Sequence, residues 1–216
     1  MMKTSVRASR MEPSATLAVV NKAKALKYEG KPVISFGAGE PDFDSPAAAA
    51  SCAESAIKEG KTHYTQSNGI LELREAVASY YSDRFGLDYP ADQVIIGPGA
   101  KPLIYGSLAS LVDPEDEVLV FSPAWVSYVE QIRLLDGRAS IVDTVTTGNV
   151  PLASKVAEAV TPRTVGMLIN TPNNPTGAVY GEETLREIAE IALEHDLWII
   201  NDEIYERLVY GNSTHL

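Results

Sequence analysis

The chain has 216 residues, 45% of them hydrophobic and 22% charged, enough apolar material for the core of an ordinary globular protein. Lysine and arginine total 18 against 29 aspartates and glutamates, a net charge of -11. A duplex-binding surface needs a basic excess, so this balance argues against a nucleic-acid partner, and an anionic ligand must be held by helix N-termini and single cations. The single cysteine, Cys52, forbids an intrachain disulfide and fits a reducing compartment. No apolar run reaches the roughly 18 residues of a membrane span, and the polar first ten residues lack the apolar stretch of a secretory signal. The expectation is a cytoplasmic protein with no membrane partner.

In chain order, residues 1–13 read as a loose arm. Ser14, following Pro13, is placed to cap a helix that Gly30 ends. Residues 33–36 predict a short strand, and Gly37-Ala38-Gly39-Glu40-Pro41-Asp42 a shaped loop. Ser45-Pro46 reads as the N-cap and first position of a helix to about Glu59. A loop from Gly60 to Gly69 holds Tyr64, and the spacing of Leu73, Val77, Tyr80 and Tyr81 predicts a helix over 71–85. Strands and helices then alternate: strand 94–96, helix 100–111, strand 117–121, helix 125–135, strand 139–142, helix 151–160, strand 164–170, helix 182–195, strand 197–201. Residues 118–121 and 197–200 are apolar throughout, as in strands buried on both faces. The pattern predicts an α/β fold of three layers, a mostly parallel sheet of about five strands between helices.

In such folds ligands bind beyond the carboxyl ends of the strands. Three unusual clusters fall there. Gly97-Pro98-Gly99-Ala100-Lys101 opens a helix, where small residues and the helix N-terminus suit a phosphate, although Pro102 stands where a dinucleotide fingerprint needs its third glycine. Taken alone it also reads as a tight strand-to-helix turn. Asn170-Thr171-Pro172-Asn173-Asn174-Pro175-Thr176-Gly177 holds polar amides on a stiff backbone. Asp202-Glu203-Ile204-Tyr205 puts a carboxylate at the end of an apolar strand, costly to bury unless it meets a cation, although a helix cap is its plainer reading.

Together with Glu40-Pro41-Asp42-Phe43-Asp44, Tyr64-Thr65 and Pro123-Ala124-Trp125-Val126-Ser127-Tyr128, these clusters resemble, in order and spacing, the class I aminotransferases that use pyridoxal 5'-phosphate (PLP), the bacterial aspartate aminotransferase subgroup above all. The resemblance implies roles. Asp202 would pair with the pyridinium nitrogen of PLP, which keeps the ring an electron sink. Asn174 and Tyr205 would bond its phenolic oxygen, and Trp125 would stack on the ring. Gly99, Ala100 and Lys101 would lie at the phosphate, with Lys101 also linked to acidic substrate side chains. The Gly39 backbone would touch the substrate α-carboxylate, Trp125 and Asn174 would also bind substrate, and Tyr64 would reach the phosphate of the neighbouring subunit. A homodimer acting on an amino acid and a 2-oxo acid in amino-acid biosynthesis follows. Residues 1–45 would form an arm and a small-domain segment, and 46–216 the PLP-binding large domain.

Three points depart from the family pattern. Ala100 replaces a glycine of close relatives. Glu12 stands where some prephenate-active members carry lysine, which argues against prephenate. The Ser-x-x-Lys segment with the Schiff-base lysine would follow Leu216, so this chain alone is expected not to transaminate. A carbon–sulfur lyase of the same fold and a non-catalytic fragment or pseudoenzyme are the alternatives. No metal site is expected, since His63, His195 and His215 share no ligand spacing. Cys52 reads as a small buried residue.

Overall fold

A computed structural model describes residues 3–11, 15–39 and 43–216 of the chain. Pro13 and Ser14 as a helix start, the Glu12 position and the Glu40-Pro41-Asp42 turn lie outside the described residues. The chain divides into two compact units, Pro13–Ile96 and the combination of Met1–Glu12 with Gly97–Leu216.

Among the described residues, the first of these holds three α-helices, α2 (Ala15–Tyr28), α3 (Ala47–Lys58) and α4 (Leu71–Phe85), and a 3-10 turn at Ala91–Gln93. Helix α3 begins one residue later than the Ser45-Pro46 reading, because Pro46 is extended (φ -53°, ψ 130°) and takes the cap position without a side-chain bond. Helix α4 ends where Gly86 turns left-handed at φ 68°. Its Arg74 is buried and ties the preceding loop down, with Nη2 on Gln66 Oε1 at 2.9 Å, Nε on the Gly69 carbonyl at 3.2 Å and Nη1 on the Ala91 carbonyl at 2.9 Å. The expected strands at 33–36 and 94–96 do not form. Ile34 and Phe36 are exposed, and around residue 96 a lone bond from the Ile96 N–H to the Asn68 carbonyl replaces a ladder. Apolar composition alone does not make a strand without a neighbour to pair with. Cys52 is exposed on α3 rather than buried, for none of the described residues of that helix is buried.

The other unit opens with a short helix, α1 (Val6–Ser9), inside the stretch expected to be a loose arm. Ser5 caps it by accepting the Ala8 N–H at 3.1 Å, and Arg10 reaches Asp136 at 3.4 Å. Strand and helix then alternate through α5 (Ala100–Leu111), β1 (Glu117–Ser122), α6 (Ser127–Leu134), β2 (Arg138–Asp143), α7 (Ala153–Ala159), β3 (Thr164–Asn170), α8 (Glu182–Glu194) and β4 (Trp198–Asp202). The strands run in the order β2-β1-β3-β4 and every pairing is parallel, so among the described residues the sheet has four strands rather than five.

Alternation along the strands splits the core in two. Leu119, Phe121, Met167 and Ile169 face α7 and α8, where Val156, Ile188, Ile191 and Tyr180 meet them. Val118, Val120 and Leu168 face α5 and α6, against Ile104, Leu108, Tyr128 and Ile132. This is the three-layer arrangement, with β1 and β3 buried on both faces. Each such side chain contributes about 1.5–3 kcal/mol relative to exposure. β4 differs from its apolar sequence: it lies at the sheet edge and alternates, with Ile199 still 37% exposed. At the opposite end of the sheet from the strand carboxyl termini, the buried Glu117 accepts from Thr161 Oγ1 at 2.6 Å and from Arg163 Nη2 at 2.7 Å. The Thr161 hydroxyl and then the Arg163 guanidinium hold its carboxyl below the usual carboxylate range.

Gly166 on β3 pairs with Trp198 on β4, and the indole lies over the glycine so that an added Cβ would run into the ring. Substitution of Gly166→Ala is expected to cost about 1–3 kcal/mol through overpacking. A urea unfolding midpoint equal to that of the parent chain would show that the indole yields instead.

Candidate active site

β1 sends its successor to one side of the sheet and β3 lies on its other side, so the connections diverge there, and the carboxyl ends of β1, β3 and β4 open on one cleft. The cleft has a volume of about 230 Å³ and is lined by Ala100, Lys101, Trp125, Tyr128, Asn170, Asn174, Asp202, Ile204 and Tyr205.

At its floor is Asp202, the last residue of β4 and 9% exposed. Its Oδ2 accepts the Tyr128 hydroxyl at 2.7 Å and its Oδ1 accepts the Ile204 N–H at 3.2 Å. Both donors are neutral. Among the described residues no lysine or arginine forms an ion pair with this carboxylate. A buried carboxylate that keeps a lone pair on each oxygen has the chemistry to accept from a positively charged donor. Burial, and next the bond to Asp202, push the Tyr128 phenol far above its ordinary value, so it stays a donor at every working pH.

Asn170 ends β3 directly opposite Asp202. Its Nδ2 donates to the Asp202 carbonyl at 2.9 Å and its Oδ1 accepts the Asn174 N–H at 2.7 Å. Beyond it the rigid turn is closed by its own polar groups. Asn173 Oδ1 accepts from the Thr176 hydroxyl at 2.8 Å, and the Tyr180 N–H donates to Thr171 Oγ1 at 2.9 Å. Burial pushes the Tyr180 phenol up to about 12. The turn delivers the Asn174 amide to the cleft, where Nδ2 meets the Tyr205 hydroxyl at 3.3 Å.

The opposite wall comes from α5 and the segment after β1. Gly99 is the N-cap of α5 at φ 94°, ψ 171°, a conformation essentially confined to glycine. It leaves the first turn of a 12-residue helix bare toward the cleft at Ala100 and Lys101. The Lys101 carbonyl is held by Gln131 Nε2 at 2.9 Å, and its Nζ stands 4.9 Å from the Trp125 ring centre. The indole packs edge-on against Tyr128, centroids 5.2 Å apart at 83°.

Ala100, Lys101, Trp125, Asn174, Asp202 and Tyr205, all singled out from sequence, thus share one cleft, with Gly99 at its rim. Gly39 and Tyr64 belong to the Pro13–Ile96 unit, where Gly39 has open space around it and Tyr64 is fully exposed. Sequence reasoning gave no role to Tyr128 or Asn170. Tyr128 stands three positions after Trp125, a helical spacing that points both rings the same way, and Asn170 is a polar residue closing an apolar strand. Those were the available signals.

A parallel sheet whose strand ends converge on a buried carboxylate, an aromatic platform, a fixed amide and a bare helix N-terminus has the form of a cofactor-binding enzyme domain. Residues 31–216 match the family model for aminotransferases of classes I and II, and the chain belongs to that family. It is 40% identical over its whole length to the aspartate aminotransferase of Bacillus subtilis and 43% identical over 205 residues to the aspartate/prephenate aminotransferase of Thermus thermophilus. It superposes on the Thermus thermophilus aspartate aminotransferase solved with maleate at a TM-score of 0.96, with 42% identity across all of this chain, and on the Rhizobium meliloti aspartate aminotransferase at 0.95 and 34% identity. The chain covers 55% and 53% of the two relatives, and 57% and 55% of the two solved chains.

Replacing Tyr128 by Phe removes one of the two donors to the Asp202 side chain. The expected loss is about 1–2 kcal/mol of unfolding free energy, since a buried carboxylate oxygen is left unsatisfied. Equilibrium denaturation checks it; an unchanged midpoint would mean that the hydroxyl donates nothing of consequence.

Proposed function

We propose that this chain carries the cofactor-facing part of a PLP-dependent aminotransferase that moves an amino group between an amino acid, aspartate or one like it, and a 2-oxo acid. The observation that carries the reading is the Asp202 carboxylate, buried at the strand ends, bonded by two neutral donors and lining the cleft. The names of the relatives, aspartate aminotransferase and aspartate/prephenate aminotransferase, support the substrate class.

The residues present fit PLP in chemistry. PLP, when bound, supplies an electron sink for the pair left behind as the substrate Cα loses its proton. Asp202 holds a proton on the ring nitrogen by accepting its N–H. Tyr128 aims that carboxylate without neutralising it. The Asn174 amide and the Tyr205 hydroxyl bond the 3-oxygen of the ring. The Trp125 indole covers the ring face and excludes water from it. Gly99, Ala100 and Lys101 offer backbone N–H groups and a cation to the phosphate. Lys101 also has the reach and charge to meet an acidic substrate side chain. Gly39 binds the α-carboxylate, and Tyr64 of one subunit reaches the phosphate of the other in a homodimer. In this reading residues 46–216 belong to the PLP-binding domain and the preceding residues to the arm and small domain.

Among the described residues, Lys101 is the only lysine lining the cleft, and it sits at the helix N-terminus beside Trp125. Two outcomes are expected. Asp202→Ala weakens PLP binding, followed as quenching of tryptophan fluorescence, on the order of tenfold to a hundredfold, the cost of removing a charged hydrogen-bonding partner. Borohydride reduction of the 216-residue chain with PLP leaves no single lysine labelled, as read by peptide mass spectrometry. Unchanged binding in the variant would overturn the cofactor reading, and a unique labelled lysine would show that this chain carries its own covalent anchor.

A further inference from the structure

We propose that Asn170 is a positioning residue that sets the span between the two polar contacts on the cofactor ring, the carboxylate for its nitrogen and the amide for its 3-oxygen. This rests on the PLP reading above. The ring is rigid, so the distance between its nitrogen and its 3-oxygen is fixed by the molecule. A protein that grips both must hold its own two groups at a matching separation.

Asp202 closes β4, whereas Asn174 lies in the turn four residues past the end of β3. A loop amide has no ladder to hold it in register with a strand. One side chain bridges the two. Asn170 is 4% exposed, its Nδ2 donates to the Asp202 carbonyl at 2.9 Å, and its Oδ1 accepts the Asn174 N–H at 2.7 Å. The parallel register that places Asn170 opposite Asp202 makes the first bond short and direct. Each end of the bridge thus grips the backbone of the residue whose side chain enters the cleft.

The residue type is what the task requires. A carboxamide presents a donor and an acceptor from one planar group. Aspartate would lose the donor and put a charge against a carbonyl. Leucine would fill the volume and leave the Asp202 carbonyl and the Asn174 N–H to find other partners. The neighbouring inward residues of β3, Leu168 and Ile169, are apolar core, so a buried amide at the next position is a departure from the strand's own pattern.

The test pairs two proteins with two ligands: the 216-residue chain and its Asn170→Ala variant, each titrated with PLP and with the 3-deoxy analogue, which lacks the ring oxygen. The parent is expected to bind the analogue about tenfold more weakly, the worth of a hydrogen bond to a polarised oxygen. In Asn170→Ala that preference is expected to collapse to about twofold or less, since the amide is no longer held in register, and the two sites on the ring become independent. A purely structural role would weaken both ligands equally and leave the tenfold preference intact, which would overturn the proposal while leaving the cofactor reading in place. If Asn170→Ala does not fold, Asn170→Asp keeps the shape and the acceptor for Asn174 but breaks the bridge to Asp202, and the same collapse is expected. A parent chain that fails to bind PLP, or binds both ligands alike, would defeat the cofactor reading itself and this inference with it.

Discussion

The structure turns on one buried negative charge. Moving a carboxylate out of water costs several kcal/mol, and a side chain that cannot find compensation inside the protein must find it in what binds there. Asp202 receives two hydrogen bonds, from the Tyr128 hydroxyl and the Ile204 N–H, which lower the cost without cancelling the charge. The position is imposed by the sheet. β4 runs parallel to β3 and ends beside it, so its last side chain is held at the strand termini, where the connections of an open sheet diverge and leave room.

The other groups are brought to the same cleft by different local devices. A left-handed glycine frees the first turn of α5, a turn rich in proline presents Asn174, and the segment after β1 swings Trp125 over the opening. All of them start from strand or helix ends packed on one sheet. The core supplies the common frame. Val118 and Val120 anchor the α5 and α6 side, and Leu119 and Phe121 the α7 and α8 side, so one strand fixes both layers.

Much of this was legible from sequence wherever a pattern was long and had a physical stop. Helix α4 begins and ends on the expected residues because its apolar spacing is bounded by Gly69-Ile70 and Gly86, and β3 because it is a continuous apolar run ending at a polar turn. Short segments failed. Residues 33–36 and 94–96 have strand composition, but a strand exists only through its partner, and composition does not name one. Helix α1 escaped notice because it is a single capped turn rather than a periodic face. Cys52 was misjudged since the helix that carries it has no buried face in this chain. In the cleft, Ala100, Lys101, Trp125, Asn174, Asp202 and Tyr205 were readable from their motifs as candidates that converge. Tyr128 and Asn170, which bond to Asp202 and Asn174, were not, because their work is done across 74 and 32 residues of sequence.

The choice of tyrosine at position 128 shows why the supporting residues matter as much as those they support. A lysine or arginine there would satisfy Asp202 more strongly, since a charge-assisted pair is worth roughly twice a neutral hydrogen bond. It would also neutralise the buried carboxylate. An apolar residue would leave Oδ2 bare and raise the cost of burial. A phenol whose burial keeps it protonated lies between the two: it fixes the direction of the carboxylate, adds no positive charge beside it, and supplies a ring edge against which Trp125 packs. The same side chain therefore sets both the direction of the buried carboxylate and the packing of the indole beside it.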